Sequence, residues 1–393
     1  MNMKKINGGI CAVKGVRANG IKQGKNGLAI MVADARKLAT AGVFTRNKVI
    51  AAPLIITKAS LEKGDLRAII ANSGCANAFT GEKGLIDAKW MADILAKKMK
   101  CEPFEIGVAS TGVIGRNLDR NWIGGHLDEV FDKLSDTEEA AKAAAKAIMT
   151  TDLAMKEVAI ELDNGVRIGG ISKGSGMIEP NMGTMLAFLF TDAILSKEKL
   201  DSCLRKAVDK TFNMVVVDGD TSTNDMALIT ATGYYECGED IFQKGLEYVC
   251  ANLAKMIAKD GEGASRLVEA RVKGARSSLD ARLAAKAIVR SPLVKTAIFG
   301  KDPNWGRVIA AAGYSGADID QDRISLKFSN NMREVLLVDS GRIVEGKLDE
   351  LKSIMESKEI IIEVDIGLGD AGATAWGCDL TYDYVKINAM YTT

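Results

Sequence analysis

The chain has 393 residues, of which 47% are hydrophobic, and its 52 Lys and Arg residues almost balance 51 Asp and Glu residues. This length and composition predict a large core, in two or more domains or one layered unit. The near-neutral charge, without a basic run interleaved with aromatic residues, argues against nucleic-acid binding and favours a small-molecule partner or self-association. We expect neither a signal peptide nor a membrane span, and seven cysteines without a C-x-x-C pair agree with a reducing cytoplasm.

Strands and helices alternate along the chain without a detectable internal repeat. Their β-branched or apolar content predicts strands at 26–33, 49–56, 67–72, 167–172 and 360–366. Amphipathic periodicity and serine starts predict helices at 85–99, at 138–149 after a capping box Ser135–Glu138, and from about Ser278. Apolar runs such as IIIEVDI indicate sheets covered on both faces. We therefore predict an α/β (α+β) fold, a layered sandwich with central β-sheets flanked by helices.

The most informative stretch is 173–191, KGSGMIEPNMGTMLAFLFT, which places Thr184 after Gly183 at the start of an apolar run. Its turn-forming residues predict an irregular backbone before that run, at Gly174, Gly176, Pro180 and Gly183. A chain cut before Thr184 would expose a threonine whose own amine, with a pKa near 8, is a built-in base. The same residues also fit an ordinary loop-to-strand junction.

Histidine-based catalysis is nearly excluded, because His126 is the chain's single histidine. Gly170–Gly174 matches the G-x-S-x-G elbow around Ser172, but that fold needs its histidine downstream, and His126 lies upstream. Zinc sites of the H-E-x-x-H kind are impossible. Cys75, within NSGCANAFTG, is predicted to be a buried small hydrophobe.

Two further motifs resemble known sites. Residues 367–372 fit G-x-G-x-x-G, but the remaining 21 residues do not supply the helix, second strand and acid of a dinucleotide site, so a hairpin turn is predicted. Residues 218–225 begin like a calcium loop, but Thr223 and Ile229 stand where glycine and glutamate are needed. A hydrogen-bonded turn that supports a site is the better interpretation.

Several blocks in the right order identify the chain as resembling the ornithine acetyltransferase (glutamate N-acetyltransferase) family of arginine biosynthesis, over essentially its full length. These blocks are NSGCANAFTG (72–81), ASTGVIG (109–115), KGSGMIEPNMGTML (173–186), VDGDTSTND (217–225), DGEGAS (260–265), SPLVKTAIFGKDPNWGR (291–307) and YVKINAMYTT (384–393). The resemblance implies self-cleavage between Gly183 and Thr184. It implies an alpha chain 1–183 and a beta chain 184–393 that assemble as α2β2. The implied fold is similar to that of amino-terminal-nucleophile hydrolases but has a different topology.

The resemblance also implies roles for individual residues. Thr184 would be the nucleophile, and Thr111 and Gly112 would form an oxyanion hole, for which a glycine allows close backbone approach. Substrate contacts would come from Thr151, Lys173, Thr184, Glu262, Asn388 and Thr393. A base for the substrate carboxylate and an acid for its amine suit a zwitterionic amino acid.

The activity implied is acetyl transfer from N-acetylornithine through Thr184 to glutamate, with no metal or organic cofactor. An amino-terminal-nucleophile amidohydrolase or aminopeptidase is the alternative, in which water resolves the acyl-enzyme. An uncut small-molecule-binding protein is a third reading. Whether acetyl-CoA also donates is open; the missing phosphate-binding motif favours a monofunctional enzyme.

Overall fold

The computed structural model describes residues 3–179 and 185–390. The chain divides into two compact units: the first comprises residues up to Asn213 with Asp220–Leu253, and the second comprises Met214–Gly219 with the residues from Ala254. The predicted chain boundary at 183/184 does not coincide with this division, because the part after it contributes to both units.

Two sheets form the centre of the first unit. The six-stranded sheet has, in spatial order, β1 (Met3–Lys5), β7 (Lys156–Leu162), β8 (Arg167–Lys173), β9 (Leu186–Ile194), β11 (Met226–Glu236) and β4 (Ala39–Phe44). The four-stranded sheet has β2 (Val16–Gln23), β3 (Asn26–Ala33), β5 (Ala68–Cys75) and β6 (Ile106–Val113). The helices are α1 (Ala52–Lys63), α2 (Gly81–Met99), α3 (Arg120–Asp132), α4 (Glu138–Ala147), α5 (Lys197–Lys210) and α6 (Glu239–Lys259), the last continuing into residues of the second unit.

The first unit is layered because its strands alternate their side chains between two faces. In β3, Ala29 and Met31 join a core that also contains Phe188 of β9 and Leu228 of β11, whereas Ile30 lies in a second core beneath α2 and α3. The four-stranded sheet therefore has helices on one face and the six-stranded sheet with α4 on the other. The covered sheets and flanking helices confirm the predicted α/β class.

The second unit is built on one seven-stranded sheet. Its strands are, in spatial order, β10 (Val215–Val216), β17 (Ala371–Cys378), β12 (Leu267–Ala275), β16 (Glu359–Asp365), β13 (Ser325–Ser329), β14 (Glu334–Asp339) and β15 (Arg342–Ile343). The helices are α7 (Ser278–Arg290), α8 (Pro292–Gly300), α9 (Gly306–Gly313), α10 (Leu348–Met355) and α11 (Tyr382–Met390). In β16 the even-numbered residues are buried and the odd-numbered ones are only half-buried, so this strand is less covered than its apolar run indicates.

The predicted strand at 49–56 is wrong, because helix α1 begins at Ala52. Pro53 occupies the first turn of that helix, where its missing N–H costs nothing and its fixed φ is favourable. Thr57 then packs on β6, donating a hydrogen bond from its hydroxyl to the Val108 carbonyl at 2.7 Å. Tertiary packing thus overrides the β-branched content of this segment.

Two smaller predictions also need correction. The 367–372 segment is not a hairpin turn, because the strands before and after it, β16 and β17, do not pair with each other. Both pair with β12, which lies between them. Helix α4 is capped by Thr137, whose hydroxyl accepts from the Ala140 amide, and not by Ser135. The other predicted elements are present within a few residues of their expected ends.

Candidate functional site

Thr111 and Gly112 lie at the carboxyl end of β6, where it runs parallel to β5. Gly112 has φ 129°, and a Cβ there would collide with the Gly74 carbonyl carbon and stand 2.7 Å from the Cys75 nitrogen. A glycine is therefore required by both its backbone conformation and the close approach of β5. Thr111 is nearly buried, with 8% of its surface exposed.

Lys173, the last residue of β8, lies next to Thr111. Its side chain is buried, and Nζ donates to the Thr111 hydroxyl oxygen at 3.3 Å. The Thr111 hydroxyl accepts this bond, so its own hydrogen is left for another acceptor. Two residues predicted for different roles, from segments 62 positions apart, are thus brought into contact.

Asp152 is a buried charged residue of this region that the sequence did not indicate. Its carboxylate accepts from Lys156 Nζ and the Gly174 amide, both at 2.7 Å, and from the Thr150 amide at 3.0 Å. Burial opposes its ionisation, but the charges of Lys173 and Lys156 and these hydrogen bonds hold its pKa at about 2. Asp152 therefore fixes the 150–152 segment, including half-buried Thr151, beside the start of the loop that follows Lys173.

Lys22 was also missed, because a lysine in a strand near a hairpin has no sequence signal that separates it from a solvated charge. Its Nζ donates to Ser73 Oγ at 2.7 Å and to the Met149 carbonyl at 2.6 Å. Burial and the charge of Lys173 lower its pKa to about 8, against the effect of Asp152. Lys22, Lys156, Lys173 and Asp152 form what we call the charged cluster, which contains three ammonium groups and one carboxylate. Such a cluster is suited to an anionic group.

Asp225 is fully buried at the residue before β11, and neither carboxyl oxygen has a hydrogen bond of ordinary geometry in the described part of the chain. Burial raises its pKa well above the usual value, although the nearby Met185 amide, Lys173 and Thr45 act in the opposite direction. Its backbone carbonyl accepts from the Thr45 amide at 3.0 Å. Burial thus disfavours the charged form of this carboxyl beside Met185.

Two predicted substrate contacts lie in the second unit. Asn388, exposed on α11, donates from Nδ2 to Glu262 Oε2 at 2.9 Å. Gly263 has φ 68°, and a Cβ there would stand 2.8 Å from the Asp383 carbonyl carbon, so the start of α11 packs directly on this glycine. The pair is thus held together by backbone contact as well as by its hydrogen bond.

The predicted cleavage site Gly183 and Thr184, and the predicted contact Thr393, lie outside the described residues. The elements on either side of the first are described: Lys173 pairs with Leu186 where β8 and β9 run antiparallel. The prediction that Thr184 is the nucleophile therefore stays a prediction.

The sequence matches the model of the ArgJ family over residues 13–393. The chain belongs to the ArgJ family. A relative from Methanosarcina acetivorans, named Glutamate N-acetyltransferase, is 62% identical and is covered over 100% of both chains. Another, from Archaeoglobus fulgidus, is named Arginine biosynthesis bifunctional protein ArgJ and is 48% identical over 98% of this chain and 100% of its own. A crystal structure of the Bacillus halodurans bifunctional protein argJ is 40% identical with a TM-score of 0.49, covering 52% of this chain and 98% of that one.

The structure also shows where the serine-elbow pattern, Cys75 and the calcium-loop-like segment lie. Ser172 is buried inside β8 and is not at a strand-to-helix turn, so the serine-elbow pattern is accidental. Cys75 is buried, as predicted, and burial raises the pKa of its thiol. Asn224 in the 218–225 segment donates to the Ser110 carbonyl near the end of β6, and its backbone amide donates to Ser222 Oγ. That this segment supports a site stays a prediction. No helix of the described residues is long and apolar enough to cross a membrane.

Proposed function

We propose that this chain is a glutamate N-acetyltransferase that takes its acetyl group from N-acetylornithine and passes it through Thr184. The family match and the names of full-length relatives support the reaction. The contact between Lys173 and Thr111 carries the assignment of the site, because it places a cation beside a hydroxyl that still has a hydrogen to donate.

In the proposed reaction, the Thr184 hydroxyl attacks the acetyl carbonyl and its proton passes by way of the Thr184 amine to the departing ornithine nitrogen. The carbon–nitrogen bond of N-acetylornithine breaks as the acetyl–Thr184 ester forms. The glutamate amine then attacks this ester, which gives N-acetylglutamate and restores the Thr184 hydroxyl. The chemistry requires no metal or organic cofactor.

The parts of the site divide this work. The Thr111 hydroxyl and the Gly112 backbone stabilise the tetrahedral oxyanion in both halves of the reaction. The charged cluster, through Lys173 and with Thr151 beside it, binds the substrate carboxylate. Glu262, Asn388 and Thr393 are further proposed contacts to the amino-acid portion that ornithine and glutamate share.

Self-cleavage before Thr184 would leave two chains that remain associated. The six-stranded sheet takes β1, β4, β7 and β8 from before the cut and β9 and β11 from after it. The β8–β9 and β4–β11 ladders would therefore each join the two chains by backbone hydrogen bonds. We propose that two such pairs form an α2β2 assembly. We also propose that the protein works in the cytoplasm, because its seven cysteines form no disulfide.

The cut is tested by mass spectrometry of the purified protein. We expect fragments that meet between Gly183 and Thr184, and the Thr184→Ala variant should stay intact and lose transfer by a factor of about 10³ or more. Thr184→Ser retains a hydroxyl and serves as the control for folding. Turnover of N-acetylornithine by the intact alanine variant would assign the nucleophile elsewhere.

The alternative hydrolase and the second donor are tested in one assay. Cleaved enzyme is given glutamate with either N-acetylornithine or acetyl-CoA, and both N-acetylglutamate and free acetate are measured. We expect N-acetylglutamate from N-acetylornithine alone, in line with relatives at 62% and 49% identity that are named Glutamate N-acetyltransferase. Equal product from acetyl-CoA would make the enzyme bifunctional, and acetate release without dependence on glutamate would make it a hydrolase.

A further inference from the structure

Asn224 lies at the junction of the two sheets of the first unit. It stands two residues before β11, and β11 runs parallel to β9, with Met226 opposite Leu186. The Asn224 side chain is buried and points to the end of β6, which belongs to the other sheet. One side chain thus spans the two sheets at the level of Thr111.

The Asn224 amide group makes contacts on both sides of this junction. Nδ2 donates to the Ser110 carbonyl at 2.9 Å and to the Ala76 carbonyl at 2.6 Å. Oδ1 accepts from the Thr223 hydroxyl at 2.5 Å, which fixes the amide orientation. An amide supplies two donors and an acceptor on one planar group, so no aliphatic or acidic side chain of this size could replace it.

The turn that carries Asn224 is itself fixed. The Asn224 backbone amide donates to Ser222 Oγ at 3.1 Å, and the Ser222 carbonyl accepts from the Thr45 hydroxyl at 2.9 Å. The Thr223 carbonyl accepts from the Ala51 amide at 3.0 Å. The Asn224 side chain therefore projects from a base that cannot easily rotate.

A second buried asparagine supports the same backbone from the β5 side. Ser110 Oγ donates to Asn72 Oδ1 at 2.6 Å, and Asn72 Nδ2 donates to the Cys75 carbonyl at 2.9 Å. Ser110 is thereby held by its carbonyl through Asn224 and by its side chain through Asn72. Residues 111 and 112 follow directly, and their geometry depends on these two anchors.

We infer that Asn224 is a positioning residue that sets the orientation of the Thr111–Gly112 donors relative to the strand following residue 184. The inference rests on the proposed function, in which those donors stabilise the oxyanion. Oxyanion donors act only when they point to the place where the charge develops, and a misplacement of about 1 Å can lower a rate about a hundredfold. Asn224 does not touch the reacting atoms in this account.

The test compares Asn224→Asp with Thr57→Val. Aspartate keeps the side-chain shape but replaces both N–H donors by an acceptor that faces two carbonyls. Thr57 of α1 is the matched control, because its buried hydroxyl also binds the backbone of β6. The hydroxyl donates to the Val108 carbonyl and accepts from the Val108 amide, away from residues 110–112. Each variant is measured for thermal stability, for the cut fraction by mass spectrometry, and for kcat and KM per cut molecule with N-acetylornithine and glutamate.

We expect Asn224→Asp to lower kcat by about tenfold to a hundredfold with KM changed less than about threefold. Thr57→Val should lose stability but keep its kcat. An unchanged kcat in Asn224→Asp, or an equal loss in Thr57→Val, would overturn the inference. If Asn224→Asp does not fold, Ser110→Ala, which removes the Asn72 anchor, is measured in its place and must lower kcat. A wild-type enzyme without transfer activity would instead reject the proposed function.

Discussion

The surroundings of Thr111 and the Glu262–Asn388 pair hold their polar groups in different ways. Thr111, Lys173 and Asp152 are buried, and each is tied to backbone or charged partners from other segments. Asn388 is exposed on α11, a helix without a buried residue, and it meets Glu262 through one hydrogen bond. A buried polar group without a partner is costly, so the first region tolerates little change, whereas water replaces a lost bond in the second.

This contrast matches the two kinds of work that we propose. Stabilising a developing charge needs donors that do not move during the reaction, and burial provides that rigidity. Holding the common amino-acid portion of two alternating substrates needs contacts that accommodate both. The following changes test the contrast, beginning with the largest expected effect.

The ion pair between Lys156 and Asp152 in the charged cluster can be compared with a surface ion pair that has the same spacing in sequence. Lys156 and Asp152 are buried, whereas Lys133 and Glu129 are exposed, and both pairs are four residues apart. Lys156→Met should lower the free energy of unfolding by about 3–5 kcal/mol, since it removes a positive charge that compensates the buried carboxylate of Asp152. Lys133→Met should cost at most about 0.5 kcal/mol. Denaturant unfolding measures both, and equal losses would contradict the role of burial.

Thr111→Ala removes the hydroxyl that accepts from Lys173. Loss of one oxyanion donor costs about 2.7–4 kcal/mol of transition-state stabilisation, so kcat should fall about a hundredfold to a thousandfold while KM changes little. Thr111→Ser keeps the hydroxyl and should retain most of the turnover. Steady-state kinetics that showed a higher KM and an unchanged kcat would move Thr111 to substrate binding.

Asp152 predicts a specific acid sensitivity. Its pKa of about 2 in the fold lies below the ordinary 3.8, so its stabilisation is present above pH 3.8 and is lost as the pH falls towards 2. The loss should be about 2 kcal/mol. The difference in melting temperature between wild type and Asp152→Asn should therefore shrink over this range. A constant difference would mean that the carboxylate charge does not stabilise the fold.

Asn388→Ala should have the smallest effect. Its hydrogen bond to Glu262 is exposed, so stability should change by at most about 0.5 kcal/mol. If Asn388 also contacts the substrate, KM for N-acetylornithine should rise while kcat is nearly retained. Isothermal titration with ornithine separates binding from turnover. A kcat loss as large as that of Thr111→Ala would remove the distinction between the two regions.

The fold was predictable where local pattern and burial agree. The β-branched and apolar content of 26–33 indicated β3, and the amphipathic pattern of 85–99 indicated most of α2. The pattern failed at 49–56, where Pro53 and the packing of Thr57 on β6 favour a helix. It also failed at 367–372, because adjacency in sequence does not reveal that β12 lies between β16 and β17.

The chain alone determined the class of chemistry and the candidate residues, because His126 is its single histidine and the ordered blocks identify a family. Only the tertiary structure decided which groups cooperate. Lys22 and Asp152 have no local signature, since an isolated lysine or aspartate usually faces solvent. Asn224 lies in a segment predicted to be a supporting turn, but the sequence does not reveal its partners. Their significance comes from burial and from partners on distant segments, as when Asn224 reaches the Ser110 carbonyl 114 positions away. Such partnerships arise from the pairing of strands and the closure of two sheets, which no window of sequence contains.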